Sequence, residues 1–375
     1  MKKLMLLGGM ISSSLLVVSC SSDKGIKKEM KSMDEVTSMS QESSKDSIDK
    51  TISDWPARPK LAAQEMMSKY GPPQEVSSER IVWNNQGPYK RIMVTRQEIP
   101  HDFPMPHMDF LEHTVHYSVP ADKASELQKF DGSVSHFRTG GELSARCDLE
   151  GHNILTLNLA RDIIEGRKTA QEARKNFGEN VRLDIMGAKP AYVEALQFKP
   201  QPMEKAAFAD TKVMPGSPNR ATASTGKVKP DAEVLAFVMA VNMNEVLAAA
   251  QAQKKDLSEG VSDYARMLQK EHGKNSDQAM KLSQSSGVTP IDTMEVDKLK
   301  QEGAQKLADI IPLEGKTFET AFVNAMVEDH QKVLTMIDED LMPKAEGESV
   351  KSHLKQTREH VAMHLTQARE LQRNL

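Results

Sequence analysis

The chain has 375 residues, enough for two or three domains and at least one sizeable core. Its 49 basic and 53 acidic side chains leave a formal charge of −4 with no basic block, which argues against nucleic acid as a partner. Aromatics make up 5% while methionines number 23, and methionine serves both as flexible core filler and as a soft copper ligand.

Lys2 and Lys3 precede an apolar run from Leu4 to Val18, the pattern of a secretory signal peptide over 1–19. The run is too short for a confident membrane span. Val17-Val18-Ser19-Cys20 resembles the lipobox of bacterial lipoproteins. That resemblance implies cleavage before Cys20, diacylglycerol on its sulfur and anchorage to a membrane. Ser21 stands where an inner-membrane retention aspartate would stand, so it also implies the outer membrane, facing the periplasm. The other reading is an ordinary signal peptide followed by a chance cysteine. Cys147 is the one remaining cysteine; it excludes an internal disulfide in the mature chain and is expected as a buried core thiol. Residues 20–54 are rich in Ser, Lys, Asp and Glu, and read as a flexible tether.

Residues 55–199 read as an α+β domain with an antiparallel sheet. Lys60 to Tyr70 fits a helix stopped by Gly71-Pro72-Pro73. Arg80 to Trp83 and Lys90 to Gln97 form one predicted hairpin, Val134 to Arg138 and Glu142 to Cys147 another. Helices are expected at Ala121–Phe130, Asn153–Glu165 and Thr169–Phe177, the last begun by a Thr cap. Six histidines, His101, His107, His113, His116, His136 and His152, lie in this domain. None of their spacings matches a zinc signature, and they read as surface or hydrogen-bonded residues. The segment resembles an uncharacterised domain of bacterial proteins, which brings no activity with it. Residues 200–230, rich in Pro, Gly, Ser, Thr and Lys, read as a linker.

Residues 231–375 are helical by pattern. A cap at Pro230-Asp231 opens the first helix, with the seam Val234, Val238, Val241, Glu245, Ala248, Ala252. Ser262 is expected to cap the second, with the seam Val261, Ala265, Leu268, His272, Asn275, Ala279, Leu282, ended by Gly287. Met294 to Ile311 is a shorter connector. The third runs from Phe318 to Leu341, ends before Pro343 and carries Val323, Met326, His330, Val333, Ile337 on one stripe. The fourth, Ser349 to Leu371, carries Val350, Leu354, Thr357, Val361, His364, Ala368, Leu371, with His353 and His360 beside the seam. Four such seams bury their faces against one another as an antiparallel bundle. Glu245, His272, His330 and His360 each lie ten or eleven residues from a helix end, roughly 15 Å along the axis at 1.5 Å per residue. His364 is one turn deeper. One carboxylate and three or four imidazoles are therefore expected to converge at mid-bundle.

The stretches around these residues, NMNEVLAAAQAQ, YARMLQKEHGKNSDQAMKL, FVNAMVEDHQKVL and REHVAMHLTQAREL, resemble the bacterial envelope family called domain of unknown function 4142, taken to be ferritin-like. The resemblance implies a ferritin-like four-helix bundle with a possible metal site and no established reaction. The di-iron branch of such folds uses Glu-x-x-His pairs with bridging carboxylates. Here Glu271 and Glu359 directly precede His272 and His360, and a neighbour one residue away points about 100° off. Both are read as outside the site, which argues against ferroxidase or oxygenase chemistry.

Two readings stay open for the cluster. Glu245, His272, His330, His364 and His360 could hold one zinc, copper or iron ion, with Met239, Met326 and Met363 favouring cuprous copper. Alternatively they form a buried Glu–His network that fixes helix register within a structural or interaction module. A buried carboxylate would need an imidazolium or a metal as partner. An enzyme ranks last, since no nucleophile elbow, phosphate loop or dinucleotide fingerprint is present.

Overall fold

The computed structural model describes residues 47–222 and 225–375. The expected signal peptide and Cys20 lie outside the described residues. The chain divides into two compact units, the first ending at Asp210 and the second running from Thr211 to Leu375.

In the first unit, helix α1 (Ala57–Tyr70) is followed by strands β1 (Glu75–Val76), β2 (Arg80–Gln86), β3 (Tyr89–His101) and β4 (His107–His116). Helix α2 (Ala124–Phe130), β5 (Ser135–Phe137), β6 (Glu142–Cys147), α3 (Glu150–Ile164) and α4 (Ala170–Ile185) complete it. The sheet order is β1-β2-β3-β4-β6-β5, antiparallel throughout, as the two predicted hairpins require. Cross-strand partners Trp83–Ile92, His113–Ala145 and Leu111–Cys147 share one face by strand alternation. That face joins Ala62, Ala63, Leu155 and Leu159 in one core. On the opposite face Arg91, Arg146 and Glu112 pair as ions. Thr169 caps α4 through a full capping box.

The expected tether ends earlier than its composition indicates. Residues 47–51 are helical and Ile52 lies in the core beside Trp55; Ile48 and Ile52, four apart, make a short apolar stripe that one helical turn can bury. The expected linker is likewise shared out. Gln201 donates its backbone N–H to His116 O at 2.9 Å, and Ala206 is buried in the first unit. Asn219–Arg220 (β7) pairs with Ile291–Asp292 (β8) in the second.

The second unit is a helical bundle. Helices α5 (Pro230–Ala252), α6 (Glu259–Ser286), α8 (Gly315–Met336) and α9 (Glu348–Asn374) form it, with α7 (Met294–Ile310) alongside. Side-chain bonds across α8 and α9, Asp338 to Arg358, Gln331 to Arg369 and Asn324 to Gln372, show an antiparallel pair. Helix α6 runs antiparallel to α9 as well, with Gly260 near Leu371 and Asn275 bonded to Thr357. Every expected seam residue of α5, α8 and α9 is buried except Leu371. In α6, Leu282 is half-buried and Ser283 takes the buried position.

Three helix ends differ from expectation. Helix α6 starts at Glu259, one turn before Ser262, with Ser258 as N-cap. Asp231 does not cap α5; it accepts the backbone N–H groups of Glu346 (2.8 Å) and Gly347 (3.0 Å) at the start of α9. Before Pro343, α8 widens into a π-helical turn over Ile337–Leu341. Proline has no N–H and its ring crowds the carbonyl four residues back, so the last turn opens rather than stops.

The candidate metal centre

Two of the bundle's apolar clusters flank its middle. One gathers Val234, Val238, Val333, Ile337, Val350 and Leu354. The other gathers Ala248, Tyr264, Leu268, Phe318, Phe322 and Met326. Between them in sequence on each helix sits a polar level: Asn242 and Glu245 on α5, His272 and Asn275 on α6, His330 on α8 and His364 on α9, all buried, with buried Thr357 two turns before His364. Each occupies a stripe position, as in Leu268–His272–Asn275–Ala279, so ordinary helical periodicity delivers the side chain inward.

Three of the five expected site residues meet. His272, His330 and His364 each offer a ring nitrogen, all within 4.8 Å of one another. Their ring centroids are 5.0 to 5.6 Å apart and the planes are steeply inclined, at 54 to 80°. The outer nitrogen of every ring is engaged. His272 Nδ1 lies 2.9 Å from Asn242 Oδ1, His330 Nδ1 2.7 Å from Met326 O, and His364 Nε2 2.7 Å from Glu271 Oε2. An oxygen acceptor at each outer nitrogen fixes the proton there and leaves the inner nitrogen with its lone pair. His272 Nε2 and His364 Nδ1 then face each other at 3.2 Å. His330 Nε2 is buried with no hydrogen-bond partner.

Burial favours the neutral form of each ring. It pushes His272 well below the ordinary histidine range and His330 down to about 4. It lowers His364 too, against the opposing pull of the Glu271 carboxylate. Neutral imidazoles with converging lone pairs are the donor set that a transition metal takes.

Glu245 does not join the three nitrogens. Its Oε1 is 3.9 Å from His330 Nδ1, the nitrogen already committed to Met326 O. Burial raises its carboxyl to about 8, with the Asp329 charge adding to the shift. Glu245 is therefore protonated at neutral pH, so the expected need for an imidazolium or metal partner does not arise: burial neutralises the acid instead. Glu245 lines a cavity of about 80 Å³ with Asn244, Lys306, Asp329 and Met336. His360 does not join the cluster either; one turn from His364, its side chain is exposed, because α9 turns that position past the seam. Of the methionines, Met239 and Met326 are core and Met363 is exposed.

Glu271 is the residue that sequence spacing excluded and the structure includes. It cannot point to the bundle centre from beside His272. Helix α9 packs directly against α6, however, and His364 extends between them to meet Glu271 from the side. Spacing along one helix does not contain that crossing. Asn242 was legible in principle, as a second polar residue on the apolar run of α5, three before Glu245.

Residues 217–371, which carry every group of this level, match the family described as Domain of unknown function (DUF4142). The matched span lies wholly within the second unit. Searches of curated proteins and of solved structures find no match.

Proposed function

We propose that this bundle, matched to a family with no assigned activity, binds one transition-metal ion through His272 Nε2, His330 Nε2 and His364 Nδ1. The observation that carries the reading is the committed outer nitrogen on all three rings, which leaves three inward lone pairs in one buried level. Zinc, copper and iron all accept imidazole donors. Among the described residues no bridging carboxylate stands at the three nitrogens, which supports single-ion storage or buffering rather than oxidative di-iron chemistry. We place the protein on the bacterial cell envelope, held by lipid at Cys20 and facing the periplasm, as a binding protein and not an enzyme.

A specific contact favours a second reading, a structural network without metal. If His364 carries both protons, it bridges Glu271 and His272 as an imidazolium, and a continuous chain runs from Glu271 to Asn242. Metal analysis of the soluble chain from Ser21 onward separates the two, beside the His330→Ala, His364→Ala double variant. The metal reading expects one equivalent fewer in the variant, and a wild-type melting temperature that rises with added zinc, copper or iron. Equal metal content in both chains, with melting indifferent to all three metals, leaves the network reading.

A further inference from the structure

We propose a second metal site, in the first unit, where His107, Cys147 and Asp148 bind a zinc-class divalent cation, flanked by Asp109 and His152. Three separated segments build it: the start of β4, the end of β6 and the first turn of α3. Strand register explains the convergence. β3 and β4 slip between Val94 and Ile99, then pair again with His101 opposite His107, while Cys147 pairs with Leu111. Alternation places His107, Asp109 and Leu111 on one face, and Cys147 with them.

The donor spacings suit a tetrahedral ion. His107, Cys147 and Asp148 offer ligand atoms within 4.8 Å of one another. His107 Nε2 stands 3.2 Å from Cys147 Sγ, and Cys147 Sγ 3.4 Å from Asp148 Oδ1. His152 Nδ1 is 3.9 Å from Cys147 Sγ and 3.7 Å from Asp148 Oδ1. Donors around zinc, at bonds near 2.1 Å, are about 3.4 Å apart.

The supporting contacts aim these donors. His107 Nδ1 donates to Met105 O at 2.9 Å, which turns Nε2 toward the cluster. That nitrogen faces Asp109 Oδ1 at 3.1 Å as well as the thiol. The other carboxylate oxygen of Asp109 is held by His101 Nδ1 at 3.2 Å. His152 Nε2 lies 3.8 Å from Asp184 Oδ2, which leaves Nδ1 toward the thiol. Asp109, Asp131 and Asp148 bring negative charge, yet among the described residues their ion-pair partners are histidines, with no lysine or arginine. A lone pair facing a buried carboxylate is repulsive unless a proton or a metal cation lies between them. A bound cation would take the thiol as thiolate, releasing its proton to solvent. His107 and His101 are partly exposed, which gives an ion a way in.

Cobalt(II) is the probe, because thiolate ligation gives a charge-transfer absorption that imidazole and carboxylate ligands do not. The full chain carries Cys20→Ala, leaving Cys147 as the one thiol, and is titrated with and without His330→Ala and His364→Ala. The expected result is one equivalent of cobalt with the thiolate band, displaced by zinc, present in both backgrounds and lost in Cys147→Ser. His107→Gln, with an unchanged circular dichroism spectrum, should weaken binding about tenfold or more. A cobalt complex without the thiolate band overturns the proposal. So does a Cys147 that reacts with a thiol reagent at the same rate with and without zinc, as expected if a proton on His107 satisfies Asp109. Because the bundle variants leave this signal intact, failure here and failure of the three-imidazole site are separately visible.

Discussion

Asp162 is a buried carboxylate with a partner on each oxygen. Its Oδ1 accepts from Arg167 Nη2 at 2.6 Å, and its Oδ2 from Lys168 Nζ at 2.9 Å and Tyr192 OH at 3.1 Å. Burial works to raise its carboxyl, and Lys168 and Arg167 outweigh that, so it sits below the usual aspartate range. A depressed folded value means the stabilisation is fully present above the unfolded value of about 3.9 and is lost as pH falls through the folded one. Asp162→Asn should therefore cost about 2 kcal/mol at pH 7. That is less than the roughly 3–5 kcal/mol of a fully buried pair, because Arg167 and Lys168 keep contact with water. Urea unfolding at pH 7 and pH 3 checks it: the gap between variant and wild type should narrow at pH 3, and a constant gap would assign the loss to packing. Residue identity alone was a partial guide here. The Asp, Arg and Lys are readable near a helix end, but their sharing of one carboxylate depends on how the chain turns after α3.

At the scale of elements, α5 is apolar on nearly all sides, long and apolar enough by composition to cross a membrane, and 67% of its most apolar window is buried. A helix apolar all round needs cover on more than one face. Helix α7 supplies it, packing Val296 and Leu299 against Ala236 and Ala240. The expected connector is thus a lid along the side of α5. The segment before α5 is pinned as tightly. Gly216 has φ +78°, and a Cβ there would lie 2.2 Å from the carbonyl oxygen of Met280 on α6. Gly216→Ala should cost about 2 kcal/mol, from positive-φ strain and from overlap with backbone that cannot move aside. Urea unfolding measures that loss, and limited proteolysis should show faster cleavage between residues 211 and 222. Unchanged cleavage would mean the segment does not depend on this contact. The composition of that stretch gave a linker, correctly polar. It could not show that a polar segment with one glycine lies along a helix.

At the scale of the molecule, two units with separate cores each carry donor groups among the described residues, three imidazoles in the second and a thiol-centred set in the first. The proposed envelope location joins them to a membrane through Cys20, outside the described residues. Cys20→Ala should move the protein from the membrane fraction to the soluble periplasmic fraction, read by fractionation and immunoblotting. Retention in the membrane fraction would remove the lipid anchor from the proposal.

By itself the sequence determined that four helices with apolar seams would bury polar residues at one depth, and that local hairpins would build an antiparallel sheet. Both follow from periodicities of 3.6 and 2 that a short stretch of chain carries within itself. Tertiary structure decided which groups touch. It set Glu245 apart as a neutral acid, turned His360 outward, and drew Glu271 in beside His364. It also assembled His107, Cys147 and Asp148 from β4, β6 and the turn that follows β6. Those outcomes depend on helix crossing and strand pairing, which are set by the packing of whole elements rather than by spacing along any one of them.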